Sequence, residues 1–342
     1  MRLGLFVSFG IGGADKSAEQ LAKKLFHLKP NWDIKIFYNS LSFPKIVAGF
    51  HEENQILLSR FQNYLSFCNP IEIHHVSEFN QYNLDILQVF RSGEDLWLLP
   101  DFEKTKFNFK IVEKNFHGSL LTKADMRIFP SKSIFREGGT VIGNPIDLPI
   151  TSLSLREDLG LKNKFIFGRI GRPEHFSTTI LDAYAKIRNE NTVLLWVAPN
   201  SSILNYIKKG NFNDIIPIDQ TVNDLLLSKI YNTFDVFCHG NPIGETFGNT
   251  IVEASLHKKP IVSLYGTPSW PQAQRELLKP FEKQIIFSQN DVKGYANIMS
   301  KYMENSVFRN NVSNTLFNNL KKFESSKITE EYIKVYESII NC

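Results

Sequence analysis

The feature that most constrains this chain is a doubled alternation. Short apolar runs alternate with segments of helical period, and past the midpoint the same pattern begins again. Strands separated by helix-length segments pair in parallel, because a parallel connection needs a long crossover. In the first half the runs predict strands at 3–8, 34–38, 71–76, 86–90, 96–99, 109–113 and 126–129. Ala18, Leu21, Ala22 and Leu25 share one face of a helix over 14–28. The second half predicts strands at 165–167, 193–197, 214–217, 236–239 and 260–264, with helices at 178–188, 202–208, 222–231 and 249–257. Beyond 291 strand character is lost and two or three helices are expected. Pro145, Pro149 and the polar stretch to Lys164 read as a linker. A length of 342 residues suits two domains, drawn at 1–148 and 162–325. The fold class is therefore α/β, with two consecutive doubly wound parallel sheets and a cleft between their carboxyl edges.

Composition narrows the function classes. Hydrophobic residues make up 42% and charged residues 22%, so the chain is neither fibrous nor disordered. A net charge of +4, spread along the chain, does not call for nucleic acid, yet suits an anionic ligand. Cys68, Cys238 and Cys342 are too far apart for a metal pair or a disulfide framework, which fits a reducing cytoplasm. The N-terminal apolar run ends in glycines and a charged helix, so it reads as a strand rather than a signal peptide. No run approaches the ~18–20 apolar residues of a membrane span. A cytoplasmic protein is expected, with peripheral contact at the inner face of a membrane as an option.

Three segments carry chemistry. In the first, Glu245 and Glu253 flank Gly248, with helical period from Asn249 onward. Glu245 is then a loop acid and Glu253 lies one turn into a helix that Asn249 could cap. The amides of Gly248, Asn249 and Thr250 would form a diphosphate cradle, and a nearby carboxylate could accept from a ribose diol. The plain alternative is a solvated helix acid beside a loop acid. In the second, Gly168-Arg169 and Arg172 follow an apolar strand, placing guanidinium forks at a sheet edge, where they suit a diphosphate or form ordinary surface. In the third, Gly10, Gly12 and Gly13 follow the first strand. They permit a close ligand approach or make a simple turn. Missing motifs matter as well. There is no Asp-x-Asp for a metal-held diphosphate, no P-loop and no Gly-x-Ser-x-Gly elbow. His74 and His75 fall in an apolar run and are expected to be partly buried rather than ligands.

Together these segments resemble the retaining glycosyltransferases of the GT-B fold, most of all the large family 4. The E-x7-E element is present as Glu245 and Glu253, the Gly-Arg element as Gly168-Arg169, and the glycine-rich first loop as Gly12-Gly13. Ser131-Lys132-Ser133 with Asn144-Pro145-Ile146-Asp147 is similar to the end of the family's N-domain. Thr267-Pro268 with Ala273-Gln274 and Glu276 is similar to a stretch of its bacterial members.

The resemblance implies that Arg169 meets the donor diphosphate, Glu253 the ribose and Glu245 the sugar hydroxyls. It implies amides of Gly248, Asn249 and Thr250 on the phosphates, with Gly12 and Gly13 approaching from the first domain. Arg172 and His175 stand where the family has a lysine. His117 is the nearest candidate for the family's N-domain histidine, since Gln88 and Phe90 occupy its usual place. The implied catalytic residues are thus Arg169, Glu245 and His117. A final helix, 326–342, would return to the first domain.

The implied activity is retaining, metal-independent transfer from a UDP- or GDP-linked sugar to a glycan or lipid-linked acceptor, in surface polysaccharide or glycoconjugate synthesis. The sugar nucleotide is a substrate, and neither cofactor nor metal is implied. Acceptor contacts would come from 40–49, 91–94 and 102–106. Phe43, Phe50, Phe102 and Phe107 with Lys45, Lys104 and Lys106 there are either a lipid- or glycan-facing set or ordinary surface. A nucleotide-sugar epimerase of the same fold and a non-catalytic sugar-nucleotide or glycan binder stay open.

Overall fold

The computed structural model describes residues 1–10, 12–39, 51–92 and 101–341, with the backbone alone at 51–57 and 92. The chain divides into two compact units, 1–147 with 323–342, and 148–322. Among the described residues unit 1 holds seven strands: β1 (Arg2–Phe6), β2 (Asp33–Tyr38), β3 (Ile71–Glu72), β4 (Ile86–Ser92), β5 (Lys110–His117), β6 (Met126–Phe129) and β7 (Gly139–Val141). Their order is β3-β2-β1-β4-β5-β6-β7, all parallel. The helices α1 (Gly13–Leu28) and α2 (His51–Leu65) also belong to this unit.

Unit 2 repeats the plan. Its described strands are β8 (Phe165–Arg169), β9 (Thr192–Val197), β10 (Ile215–Ile218), β11 (Val236–Cys238), β12 (Ile261–Leu264) and β13 (Ile286–Phe287). They are ordered β10-β9-β8-β11-β12-β13, again parallel. Its helices are α3 (Thr179–Ile187), α4 (Ser201–Lys209), α5 (Asp224–Thr233), α6 (Asn249–Leu256), α7 (Ala273–Leu277), α8 (Glu282–Ile285), α9 (Val292–Glu304) and α10 (Ser306–Leu320). The last helix, α11 (Ser325–Ile340), belongs to unit 1.

Parallel strands are buried on both faces, so their side chains alternate between two cores. Leu3, Leu5, Ile86 and Phe90 pack with Leu21 and Leu25 of α1 and with Ile328, Tyr332 and Tyr336 of α11. Phe6, Leu87 and Val89 point the other way, onto Phe37, Val76 and Phe79. Each such side chain contributes about 1.5–3 kcal/mol when fully buried. Gln88 lies between Ile86 and Phe90 on the α11 side, where its side-chain oxygen accepts from the Tyr336 hydroxyl.

Several sequence expectations change. The strand at 71–76 stops at Glu72, and His74 and His75 are exposed rather than partly buried. Glu78 accepts from both of their backbone amides, which starts a 3-10 turn over Val76–Tyr82. The segment expected as a linker packs into unit 2: Pro149 O accepts from Ser228, and the Leu155 amide donates to Thr233. Phe102, a candidate surface contact, is a core residue at 1% exposure with the half-buried Phe107 against it. The strand expected at 96–99, the loop 40–49 and Phe50 lie outside the described residues, as does most of 91–94. No helix among the described residues is long and apolar enough to cross a membrane.

Candidate functional site

In an open parallel sheet, ligands sit beyond the carboxyl edge where the strand order reverses. In unit 2 that point lies between β8 and β11. Arg169 ends β8, His239 follows β11, and the loop after it carries Glu245 to the start of α6. The topology thus gathers Arg169, Glu245 and Glu253 at one edge.

Glu245 is held from three sides. Its amide donates to Gln274 Oε1 at 3.2 Å, and its carbonyl accepts from Ala273 N at 2.9 Å. Its Oε1 accepts from His239 Nε2 and from Asn241 Nδ2, both at 2.9 Å. Burial alone would raise this carboxyl. The His239 hydrogen bond and charge, with Asn241, outweigh it and hold the group below its ordinary value. The side chain remains 22% exposed.

Glu253 is 3% exposed, on the first turns of α6. The Tyr231 hydroxyl donates to its Oε2 at 2.8 Å. Tyr231 is stacked on His257 at 5.2 Å, so the hydroxyl is held in direction. Burial, then the charge of Glu253, pushes the Tyr231 phenol well above its usual range, and it stays a donor.

Helix α6 begins without a side-chain cap, and Asn249 is its first residue rather than its cap. Gly248 precedes it at φ 97°, a left-handed conformation in which a side chain is strained. Asn249 and Thr250 are half-buried there. An uncapped N-terminus with its partial positive charge is a suitable seat for an anion.

Arg169 is placed differently from a ligand-facing fork. It is 2% exposed, and both terminal nitrogens donate to backbone carbonyls: Gly171 at 2.9 Å, Val197 at 3.5 Å, Arg172 at 2.9 Å and His175 at 2.5 Å. Its guanidinium also lies over the Trp196 ring at 5.1 Å. Burial lowers it to about 10, so it stays charged at neutral pH. The arginine folds the 171–175 loop around itself. Arg172, with its side chain 46% exposed, is the guanidinium turned toward solvent. His175 is half-buried and held below its usual value, first by burial and then by Arg172. The charge of Glu245 is felt at both Arg169 and His175, which brings these three into one electrostatic neighbourhood. Gly168 has a separate cause, for a Cβ there would meet the Phe234 ring at 2.1 Å.

Gly12, Gly13 and His117 belong to unit 1. Gly12 caps α1, and its amide donates to Asp15 at 3.1 Å. The Ser8 hydroxyl donates to the same carboxylate. A Cβ on Gly10 would meet that carboxylate at 2.6 Å, so Asp15 shapes the glycine loop. His117 closes β5, opposite Ser92, and is half-buried. Sequence reasoning missed His239, Asn241, Tyr231 and Asp15 as partners of the site. Tyr231 carried no signal, whereas His239 and Asn241 open the segment that leads to Glu245 and Asp15 follows the glycines of the first loop.

No family model matches this chain, and no curated protein matches it in sequence. Solved structures do. A glycosyltransferase from Rickettsia africae is 15% identical at a TM-score of 0.75, over 99% of this chain and 98% of that one. Anabaena HepE in complex with UDP-glucose is 16% identical at 0.75, over 99% and 100%. The sucrose-phosphate synthase of Thermosynechococcus elongatus is 14% identical at 0.71, over 100% and 99%. End-to-end coverage at such identity speaks for architecture: this chain has the GT-B fold of these glycosyltransferases.

Proposed function

We propose that this chain is a glycosyltransferase that takes a nucleoside-diphosphate sugar as donor. The observation that carries this reading is the pair Glu245 and Glu253 at the switch point of unit 2, on either side of an uncapped helix start. Glu253, directed by Tyr231, accepts from the ribose hydroxyls. The α6 amides and the exposed Arg172 take the diphosphate, with buried Arg169 as a fixed charge behind them. Glu245 accepts from hydroxyls of the transferred sugar. The likeness to HepE, whose structures hold UDP and UDP-glucose, supports a uridine donor, with a guanosine donor as the alternative.

As the bond from sugar to phosphate lengthens, negative charge grows on the leaving oxygen. Preorganised cations and helix amides stabilise that charge, worth several kcal/mol in rate. In this reading they take the part a divalent ion would otherwise play. No carboxylate among the described residues is set as a covalent nucleophile, so the acceptor hydroxyl attacks on the face the phosphate leaves, its proton passing to the leaving phosphate oxygen, and configuration is retained. The acceptor is a glycan or a lipid-linked glycan in cell-surface synthesis, met at a membrane's inner face.

Sugar-labelled UDP-glucose and GDP-mannose, incubated with the protein and a membrane and glycan extract, test this. Label passes into the glycan or lipid fraction from one donor, with EDTA present. Conversion of the donor to another sugar nucleotide without acceptor would instead establish an epimerase.

A further inference from the structure

The residue next to Glu245 that sequence reasoning passed over is His239. It is 2% exposed, and both ring nitrogens have partners in unit 2. Nε2 lies 2.9 Å from Glu245 Oε1, and Nδ1 lies 2.8 Å from Ser263 Oγ. The backbone fixes the ring's origin, since the His239 amide donates to Val262 O at 2.8 Å as a continuation of β11. An ionised carboxylate only accepts, so Nε2 carries the proton. Nδ1 meets the Ser263 hydroxyl, which also donates to Leu264 O at 3.3 Å and can give or take the hydrogen bond to the ring. The carboxylate thereby places the Nε2 proton, and Ser263 holds the ring from its other side.

The consequence falls on the carboxylate. His239 and Asn241 both donate to Oε1. Oε2 has no donor among the described residues, in a side chain 22% exposed. One oxygen is anchored and the other is left for a ligand. We propose that His239 is a positioning residue which, with its ring held by Ser263, fixes the Glu245 carboxylate so that Oε2 is presented to a hydroxyl of the donor's sugar. This rests on Glu245 as the carboxylate that holds the sugar. His239 itself touches no substrate in this account. Its role predicts a change in recognition of the sugar and none in recognition of the nucleoside diphosphate, which Glu253 and α6 meet.

Titration calorimetry on the full chain tests the proposal, with UDP, UDP-glucose, GDP and GDP-mannose as probes. The quantity read is the ratio of sugar-nucleotide affinity to bare-diphosphate affinity, for whichever pair binds. The variants are His239→Phe, which keeps the volume without a donor, His239→Gln, which restores an amide donor near the Nε2 position, and Glu245→Ala. His239→Phe lowers the ratio roughly tenfold while bare-diphosphate affinity stays within about twofold, because one charge-assisted hydrogen bond is lost. His239→Gln keeps the ratio to within about threefold. The bare-diphosphate affinity serves as the control for folding.

An unchanged ratio in His239→Phe overturns the proposal. Equal loss in the Phe and Gln variants, or equal loss of both ligands, also overturns it and leaves His239 a packing residue. A ratio unchanged in Glu245→Ala, or a wild-type protein that binds neither pair, overturns the reading of Glu245 and the inference with it. Those two results come from proteins with His239 intact, so the two failures are distinguishable.

Discussion

At the scale of single residues, burial separates what the site's charges can do. Arg169 is charged but enclosed, and four carbonyls take its terminal hydrogens. Arg169→Ala leaves those carbonyls unpaired in a closed loop. Its unfolding free energy in urea falls by about 3–5 kcal/mol, and turnover by orders of magnitude. Arg172→Ala keeps the loop, leaves stability within about 0.5 kcal/mol and weakens diphosphate binding alone, because its side chain is half solvated. Finding the two stability effects reversed would contradict the division of labour between the arginines. The placement of Glu245 and Glu253 was legible in the sequence because their spacing survives folding: a loop acid, a glycine, an acid in the next helix. The role of Arg169 was not legible, since the carbonyls that enclose it are set by the path of 171–175 and by β9.

At the scale of elements, the starts and ends of strands carry the information. The apolar run from 109 predicted a strand that stops at Glu113, yet β5 continues to His117. Its polar residues are buried with partners: Lys114 donates to Ile142 and Gly143, and Asn115 to Glu113 and Ser119. Pattern reading assigns such residues to a loop because it cannot see who satisfies them. The start of α6 depends on Gly248 in a left-handed conformation with Leu277 Cδ1 3.2 Å from a would-be Cβ. Gly248→Ala costs about 1–2 kcal/mol in urea unfolding and weakens nucleotide binding as the helix start shifts. After α6, Lys259 donates to Asn232 O and Phe234 O. Burial brings it down to about 8, with Asp235 opposing and Arg156 adding to the fall. The unfolded chain therefore binds more protons than the native one between pH about 8 and its ordinary 10.5. Stability contributed by this site rises with pH across that window. The melting temperature of the wild type relative to Lys259→Met rises from pH 8 to 10; a fall would show the lysine charged in the native state.

At the scale of the whole molecule, unit 1 is closed by the end of the chain. Ile328, Tyr332 and Tyr336 of α11 share a core with residues from 3 to 142. The strand paths at Ile146 and Glu324 form a bridge beside it, with Ser325 N donating to Ile146 O at 3.0 Å. Ending the chain at 324 removes that layer, and unit 1 loses hydrogen-exchange protection while unit 2 keeps it. The doubled sheet was legible because buried parallel strands write continuous apolar runs. The returning helix came only through resemblance to a family, for nothing in the periodicity of 325–340 says which unit it covers. The central claim concerns the edge of unit 2, where two acids flank an uncapped helix. It is tested most directly by thermal shift against UDP-, GDP-, ADP- and CMP-sugars and NAD, with and without EDTA, in wild type and Glu253→Ala. The account predicts stabilisation by one diphosphate sugar, unchanged by EDTA and lost in Glu253→Ala. No shift with any nucleotide, or a shift with NAD alone, would contradict it.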